Sequence, residues 1–363
     1  MVDPPVVLAP LAGITNVAFR RLCREYGAGL YISEMITSRA LVEGNPKTMQ
    51  LISFAADETP RSIQLYGVDP AVVGQAVRLI VERDLADHVD LNFGCPVPKV
   101  TRRGGGSALP WRINLFDDIV RAAVTAAAGQ VPVSVKMRLG VDADHLTYSE
   151  AALRAQDAGV AYLALHGRTA ADFYGGQADW QPIAELAELL DIPVLGNGDI
   201  WEASDAIRMV AETGCAGVVV GRGCLGRPWL FADLAAAFQG RPSTALPGLA
   251  EVVRAMYRHA ELLCEWLDSE RGVVDFRKHV AWYLKGFSVG SEHRRALAMA
   301  SSLADLAELL GQLDQSQPFP AEILGQPRGR TTGARKVALP DGWLADRESR
   351  QVPFGAELAD SGG

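Results

Sequence analysis

A cysteine between a glycine and a proline is the residue of this sequence best suited to acid–base or nucleophilic chemistry. Cys95 lies in the stretch Asn92-Phe93-Gly94-Cys95-Pro96, directly after an apolar run that predicts a β-strand. A thiol at a strand end can attack a substrate as a thiolate or donate a proton to it. The residue types alone leave both roles open. If a hydride attacks one face of a substrate, a neutral thiol on the opposite face could supply the proton.

A lysine inside an apolar strand is the second candidate. Lys136 stands among valines and a methionine in the run 132–139. Burying an unpaired ammonium group is costly, so this side chain needs an anionic or hydrogen-bonding partner. We expect that partner to be a ligand, and a structural ion pair is the alternative.

Two glycine-containing loops predict a phosphate site. Asn197-Gly198-Asp199 and Gly221-Arg222-Gly223 follow the last two of the predicted strands. Backbone N–H groups beside a glycine can approach phosphate oxygens, and Arg222 or His166 can balance the charge. The alternative is that these glycines only form tight turns. The trio Gly104–Gly106 lacks the strand-and-helix context of a dinucleotide-binding loop.

The elements that must position these residues form a repeating pattern. Apolar runs predict eight strands, at 6–9, 30–35, 62–67, 88–93, 132–139, 162–166, 192–196 and 217–220. Helical periodicity lies between them, at 70–84, 115–128, 149–158, 180–190 and 202–213. Alternating strands and helices predict parallel βαβ units, and eight evenly spaced units favour a (β/α)8 TIM barrel over an open doubly wound sheet. In such a barrel the candidate residues meet at the C-terminal ends of the strands.

The remaining third of the chain lacks the strand pattern. Residues 241–325 predict a small helical bundle domain, with helical periodicity over 249–267, 275–287 and 294–313. Residues 1–240 are then the barrel domain. Residues 326–363 are rich in proline, glycine and charge, which predicts a poorly ordered tail.

Composition and charge narrow the class of protein. The 363 residues are 48% hydrophobic and 21% charged, and the five cysteines form no C-x-x-C pair, which argues against a disulfide scaffold or a metal site. No apolar run approaches the ~18 residues of a membrane span and no basic N-terminal signal is visible, so we expect a cytoplasmic protein.

The net charge is −8, yet 271–295 holds six basic and two acidic residues, and 96–112 holds four basic residues and no acidic one. Two basic patches on an acidic body are compatible with nucleic acid bound at one place, and solvated surface is the alternative.

Six motifs, in order along the chain, resemble those of the tRNA-dihydrouridine synthases, most closely the bacterial B-type enzymes. They are Ala9-Pro10-Leu11-Ala12-Gly13-Ile14-Thr15, Asn92-Phe93-Gly94-Cys95-Pro96, Lys136-Met137-Arg138, His166-Gly167-Arg168-Thr169, Asn197-Gly198-Asp199-Ile200 and Gly221-Arg222-Gly223. The similarity extends from residue 6 to about residue 313. Leu11 replaces a methionine that many members have.

The resemblance implies an FMN-dependent oxidoreductase that NADPH reduces and that converts uridines of tRNA to 5,6-dihydrouridine. A hydride would pass from flavin N5 to uracil C6, and Cys95 would protonate C5. The implied FMN-binding residues are Pro10, Leu11, Ala12, Gln64, Lys136, His166, Asn197, Gly198, Asp199, Gly221 and Arg222. The implied tRNA-binding residues are Asn92, Lys99, Arg168, Arg277, Lys278 and Lys285. No obligate protein partner and no membrane association are expected.

Two other classes remain open on the sequence alone. An FMN-dependent barrel acting on a small metabolite, such as a dihydroorotate-type dehydrogenase, would share Lys136 and the phosphate loops but would not need the basic helical domain. A non-catalytic RNA-binding barrel would keep the basic patch but would have no reason to keep Cys95 and Lys136 together.

Overall fold

Eight parallel strands form a closed barrel in the computed structural model, which describes residues 2–27, 29–242, 245–329, 331–353 and 355. Each strand pairs with its neighbours in chain order, and β8 returns to β1 with Val6 opposite Val218. The (β/α)8 prediction is confirmed. The strands are β1 (Val6–Leu8), β2 (Leu30–Thr37), β3 (Ser62–Tyr66), β4 (His88–Phe93), β5 (Val133–Arg138), β6 (Tyr162–His166), β7 (Val194–Asn197) and β8 (Gly217–Val220).

Helices cover the outside of the barrel and begin and end where local chemistry dictates. Asp69 accepts hydrogen bonds from the first turn of α4, and Pro70 occupies a position where no N–H is needed. Gly159 ends α7 in the left-handed conformation. The helices of this region are α1 (Val17–Arg24), α2 (Ser38–Val42), α3 (Pro46–Leu51), α4 (Pro70–Glu82), α5 (Pro98–Thr101), α6 (Ile113–Ala127), α7 (Tyr148–Ala158), α8 (Gln181–Leu189), α9 (Ala203–Thr213) and α10 (Leu230–Phe238).

A second apolar core lies in the helical region that follows. It joins residues of α11 with those of the later helices, and Ala18 and Leu22 of barrel helix α1 pack into it. The helical region therefore shares a core with the barrel. Its helices are α11 (Leu249–Trp266), α12 (Ser269–Phe276), α13 (Val280–Tyr283), α14 (Ser291–Leu297) and α15 (Leu303–Gly311).

The C-terminal segment packs against the barrel where it is described, contrary to the prediction of a poorly ordered tail over 326–363. Arg328 is buried and donates to the carbonyl oxygens of Leu225 and Trp282. Farther on, Trp343 is only 4% exposed and donates to the Ala108 carbonyl. The composition suggested disorder because few residues of the tail are apolar. The partners of these few residues lie on the surface of the barrel and not within the tail. Residues 330, 354 and 356–363 lie outside the described residues.

The described part of the chain contains no helix long and apolar enough to cross a bilayer.

Candidate functional site

Cys95 follows β4, where its backbone is held by Asn92 at the end of the same strand. Asn92 Oδ1 accepts hydrogen bonds from the N–H groups of Gly94 (3.0 Å) and Cys95 (2.9 Å). Asn92 Nδ2 donates to Gln64 Oε1 at 2.7 Å. Asn92 therefore orients the thiol-bearing turn, and a substrate contact by its amide stays a prediction.

The buried carboxylate of Asp90, two residues before Asn92 in β4, anchors this network. Gln64 Nε2 donates to Asp90 Oδ2 at 2.6 Å, and Ser134 Oγ donates to Asp90 Oδ1 at 2.5 Å. Burial raises the pKa of Asp90, and the two hydrogen bonds oppose that rise. A chain of contacts thus runs from Asp90 through Gln64 and Asn92 to Cys95.

Sequence reasoning missed Asp90 and Ser134, although the sequence carries a signal for them. In β4 the polar residues are His88, Asp90 and Asn92, at every second position. In β5 they are Ser134, Lys136 and Arg138, again at every second position. Alternate residues of a strand point to one side, so these two polar series share a face, and the contacts place that face inside the barrel.

Lys136 lies on the same face and reaches toward β7. Its Nζ donates to Asn197 Oδ1 at 3.0 Å, while Asn197 Nδ2 donates to the Val219 carbonyl at 2.7 Å. Burial, and then the charge of Arg138, lowers the pKa of Lys136 to about 8 against the opposing effects of Asp90 and Cys95. The ammonium group is therefore well placed to contact an anionic ligand at the strand ends.

The thiol of Cys95 is neutral at physiological pH. Burial raises its pKa, against weaker opposing effects of the Val97 N–H and of Arg138 and Lys136. Arg138 does not bind the sulfur but fixes the surrounding loops, because its guanidinium donates to the carbonyls of Gly94, Thr169 and Phe173. A protonated thiol suits a proton donor better than a nucleophile.

Beside the loops predicted to bind phosphate, Arg168 is a positioning residue. It is 2% exposed, and its guanidinium donates to Asp199 Oδ2 at 2.9 Å and to the carbonyls of Gly175 and Gly176. That Arg168 contacts substrate stays a prediction, and within the described residues its Nε and Nη2 donate to protein groups. Asp199 also accepts from the Ala178 N–H at 2.7 Å and lies 3.5 Å from Arg222 Nη2. Its carboxylate therefore organises the arginines.

That His166, or alternatively Arg222, balances a phosphate charge stays a prediction. Burial lowers the pKa of His166 well below the ordinary value, and the nearby charges of Arg138, Lys136, Arg168 and Arg222 lower it further. The imidazole is neutral at physiological pH and serves as a hydrogen-bonding group. Arg222 is then the cation of this side, with its guanidinium 5.1 Å from the Tyr174 ring and 5.0 Å from the Trp201 ring.

The chain is similar to known proteins over most of its length. Residues 7–318 match the family model described as dihydrouridine synthase. The chain belongs to the dihydrouridine synthase family. A "Probable tRNA-dihydrouridine synthase" of Mycobacterium leprae (strain TN) is 51% identical over 385 residues, covering 98% of this chain and 100% of that protein. A protein of the same description from Mycobacterium tuberculosis (strain ATCC 25618 / H37Rv) is 54% identical over 368 residues, covering 99% and 94%.

The predicted likeness to the B-type enzymes is confirmed by a further relative. A "tRNA-dihydrouridine synthase B" of Xanthomonas axonopodis pv. citri (strain 306) is 37% identical over 301 residues, covering 83% of this chain and 90% of that protein. Among solved structures, histamine dehydrogenase from Rhizobium sp. 4-9 matches with a TM-score of 0.50 and 10% identity, covering 86% of this chain and 63% of that chain. That likeness concerns the fold alone. Family membership makes the chain an oxidoreductase that acts in tRNA dihydrouridine synthesis.

Gly221 and Gly198, in the two loops predicted to bind phosphate, differ in the space around them. A methyl group at Gly221 would meet only Ala9 and Leu11, at ordinary contact distances of 3.6 and 3.8 Å. Gly198 is different, because it has φ +127° and a methyl group there would come within 2.6 Å of the Ala178 Cβ. Pro10, Leu11 and Ala12 follow β1 and are half-buried or exposed. Leu11 therefore lies beside Gly221 at the strand ends.

The basic residues predicted to bind tRNA differ in their environments. Lys99 is exposed just beyond Cys95. Arg277 donates to the Ala300 carbonyl at 2.8 and 2.7 Å, and Lys285 donates to the Pro327 carbonyl at 2.7 Å, so these contacts are to uncharged groups. Lys278 forms an ion pair with Asp275 at 2.7 Å. Its charge is compensated, so of these lysines and arginines it is the least suited to bind a phosphate.

Proposed function

We propose that this chain reduces uridines of tRNA to 5,6-dihydrouridine with FMN as its cofactor and NADPH as the reductant. The observation that carries the proposal is the placement of a protonated thiol, a buried lysine and a phosphate-type loop at one end of one barrel. Family membership favours this reaction over the small-metabolite dehydrogenase and over the non-catalytic RNA-binding protein.

The residues at the strand ends fit a flavin that carries a phosphate. Arg222, Gly198 and Gly221 would hold the phosphate, and His166 and Asn197 would hydrogen-bond the chain between phosphate and ring. Asp199 Oδ1 is buried and lies 3.5 Å from Arg222 Nη2 without accepting a hydrogen bond within the described residues, so it could accept one from a ligand hydroxyl. Gln64 and Lys136 would contact the ring, and Pro10, Leu11 and Ala12 would pack against it.

Reduced FMN, when bound, supplies the hydride that adds to uracil C6. Cys95 supplies the other hydrogen of the reduction: its S–H bond breaks, a C–H bond forms at C5, and the sulfur retains the electron pair as a thiolate. Solvent returns the proton to the thiolate before the next turnover. The raised pKa of Cys95 keeps the thiol protonated until the substrate needs the proton.

Cys95 is half-buried at the barrel end, so the target base would leave the folded RNA to reach it. Extrusion of a base into an enzyme pocket is the general solution to this problem. The phosphates around that base would meet Lys99 on the barrel side and Arg277 and Lys285 on the helical side. These contacts set affinity without reading sequence.

The test separates cofactor binding, flavin reduction and proton transfer. The purified protein should bind added FMN with the flavin absorbance near ~450 nm, and NADPH should bleach it under anaerobic conditions. Unmodified tRNA should then reoxidise the flavin and yield dihydrouridine, measured by mass spectrometry of the digested nucleosides. A protein that binds no FMN would contradict the proposal.

Cys95→Ala isolates the proton donor. We expect this variant to bind FMN and to be reduced by NADPH as the wild type is, while reoxidation by tRNA slows by the ~10²–10⁴-fold of a lost general acid. Cys215→Ala is the matched control. Cys215 is buried, and its sulfur contacts the carbonyl of Gly217 at the start of β8, opposite the C-terminal strand ends that carry Cys95. Wild-type dihydrouridine formation by Cys95→Ala would remove the thiol from the mechanism.

A further inference from the structure

We propose that Trp343 of the C-terminal segment positions Cys95 by holding residues 104–113, which we call the buttress segment. Trp343 lies beyond the family-matched region, which ends at residue 318. The proposal goes beyond the proposed function in assigning a role to this segment, and it rests on that function only for the expected effect on turnover.

The buttress segment holds the backbone of Cys95. The Cys95 carbonyl accepts hydrogen bonds from the N–H of Ser107 at 3.1 Å and from Ser107 Oγ at 3.0 Å. Gly106 lies against the same carbonyl, where a methyl group would come within 2.5 Å of the oxygen. Asn92 binds the N–H of Cys95 from the other side. The position of the thiol therefore depends on both Asn92 and Ser107.

Trp343 packs on the outer side of the buttress segment. Its indole Nε1 donates to the Ala108 carbonyl at 2.9 Å, one residue after Ser107. Its six-membered ring lies so close to Gly104, which has φ +75°, that a methyl group there would overlap the ring. Arg112 Nε donates back to the Trp343 carbonyl at 2.9 Å, and its guanidinium lies 4.8 Å from the indole centroid.

The neighbouring tail residues extend this contact. The Arg347 carbonyl accepts a hydrogen bond from the N–H of Ile113 at 3.1 Å, and the Arg347 side chain pairs with Glu150 on α7 at 2.5 Å. The tail therefore contacts both ends of the buttress segment and is itself fixed to the barrel.

The buttress segment needs such support because its own structure is weak. It contains three consecutive glycines at its start and a short 3₁₀ helix over Gly106–Trp111. Glycines lose more backbone entropy on ordering than other residues, and 3₁₀ hydrogen bonds are poorer than α-helical ones. A buried indole that binds both Gly104 and Ala108 restricts the conformations open to Ser107 and so to Cys95. Small displacements of a proton donor are enough to slow proton transfer.

The experiment measures the reactivity of Cys95 directly. Wild-type protein and Trp343→Ala, each with and without FMN, are treated with iodoacetamide, and alkylation of each cysteine is followed by peptide mass spectrometry. We expect alkylation of Cys95 to be roughly tenfold faster in Trp343→Ala, because the buttress segment opens more often. Alkylation of the half-exposed Cys264 in the helical region should not change. Turnover should fall through kcat, with KM for tRNA nearly constant.

Two variants distinguish positioning from general loss of stability. Trp343→Phe keeps an aromatic ring on Gly104 and should restore most of the wild-type protection of Cys95. Leu306→Ala removes a fully buried side chain of α15 in the second core and should lower the melting temperature without exposing Cys95. Equal acceleration in Leu306→Ala, or wild-type alkylation of Cys95 in Trp343→Ala, would overturn the proposal.

Hydrogen exchange on the unmodified protein gives a test that does not require any variant to fold. Amides of the buttress segment and of residues 342–348 should open together, with the same exchange-derived protection. A tail that exchanges at the unprotected rate while the Ser107 amide stays protected would overturn the proposal. The alkylation and exchange results stand whether or not Cys95 is the proton donor, so their failure is distinct from a failure of the proposed function.

Discussion

Replacing Lys136 with methionine tests whether this lysine binds an anionic ligand as an ammonium group. Methionine keeps a long unbranched side chain in the barrel and removes only the charge and the donor to Asn197 Oδ1. The wild-type and variant proteins are compared for FMN affinity as a function of pH.

The pH dependence follows from the pKa of the free protein. Burial and the charge of Arg138 lower the pKa of Lys136 to about 8. FMN would bring an acceptor atom of its ring to the ammonium group and its phosphate charge to the same strand ends, and both raise that pKa in the complex, so binding takes up a proton where the free lysine is deprotonated. Affinity is therefore nearly constant well below pH 8 and falls above it. From the protonated fractions, the association constant should drop roughly tenfold between about pH 7 and pH 9, or ~1.4 kcal/mol.

The variant should lose both the contact and the pH dependence. A hydrogen bond to a charged group contributes about 1.5–3 kcal/mol, so Lys136→Met should bind FMN roughly 10- to 150-fold more weakly at neutral pH. Between about pH 7 and pH 9 its affinity should stay flat. The FMN phosphate does not interfere, because its second pKa lies near 6.

The assay is quenching of flavin fluorescence during titration with apoprotein, at intervals across this pH range. Lys99→Met is the matched control, since it removes an exposed lysine near Cys95 and should leave the wild-type profile unchanged. Calorimetry in two buffers of different ionisation enthalpy would measure the proton uptake independently. A flat wild-type profile, or the same tenfold drop in Lys136→Met, would refute the reasoning.

Two further predictions concern stability and tRNA binding. Both ring nitrogens of His279 lack a hydrogen-bond partner among the described residues, and burial, with His259 and Lys278, holds its pKa well below the ordinary 6.5. As pH falls below ~6.5, this histidine takes up a proton in the unfolded chain but not in the folded chain, so the folded protein loses stability toward acid. The free energy of unfolding of His279→Phe, measured in urea, should therefore rise relative to wild type by about 2 kcal/mol more at pH 5 than at pH 7.5. An equal effect of the substitution at both pH values would contradict this. Lys99 and Arg102 both belong to the basic stretch 96–112. Replacing both with alanine should reduce the magnitude of the slope of log tRNA affinity against log salt concentration by up to about two. An unchanged slope would mean that the RNA backbone binds elsewhere on the protein.

The barrel was predictable because its short strands are rich in apolar residues and recur between helical segments at regular spacing. The predicted ranges at 88–93, 162–166 and 217–220 coincide with β4, β6 and β8. Strand β7 begins at Val194 rather than at residue 192, because the turn through Pro193 cannot donate to the ladder. The residues at the strand ends were also predictable, since a closed parallel barrel brings them together.

The partners of the site residues were not predictable from strand ends alone. Arg168 and Asp199 sit in adjacent loops, and only the structure shows that they bind each other. The prediction of a poorly ordered tail failed for a different reason. A compositional argument averages over many residues, whereas the packing of the tail depends on a few side chains, above all Trp343, that fit particular positions on the barrel.

The electrostatics of the strand ends favour an anionic ligand over a neutral one. Lys136, Arg138 and Arg222 all have lowered pKa values, each chiefly through burial and each further through a neighbouring cation. Asp90 opposes the shift of Lys136 and Asp199 opposes that of Arg222, each less strongly than burial lowers the pKa. An anion bound among these cations would raise their pKa values together, whereas a neutral ligand would bury them further and lower the values more. The cationic strand ends therefore select for charge on the ligand, while the neutral thiol of Cys95 leaves the proton available for the uncharged base.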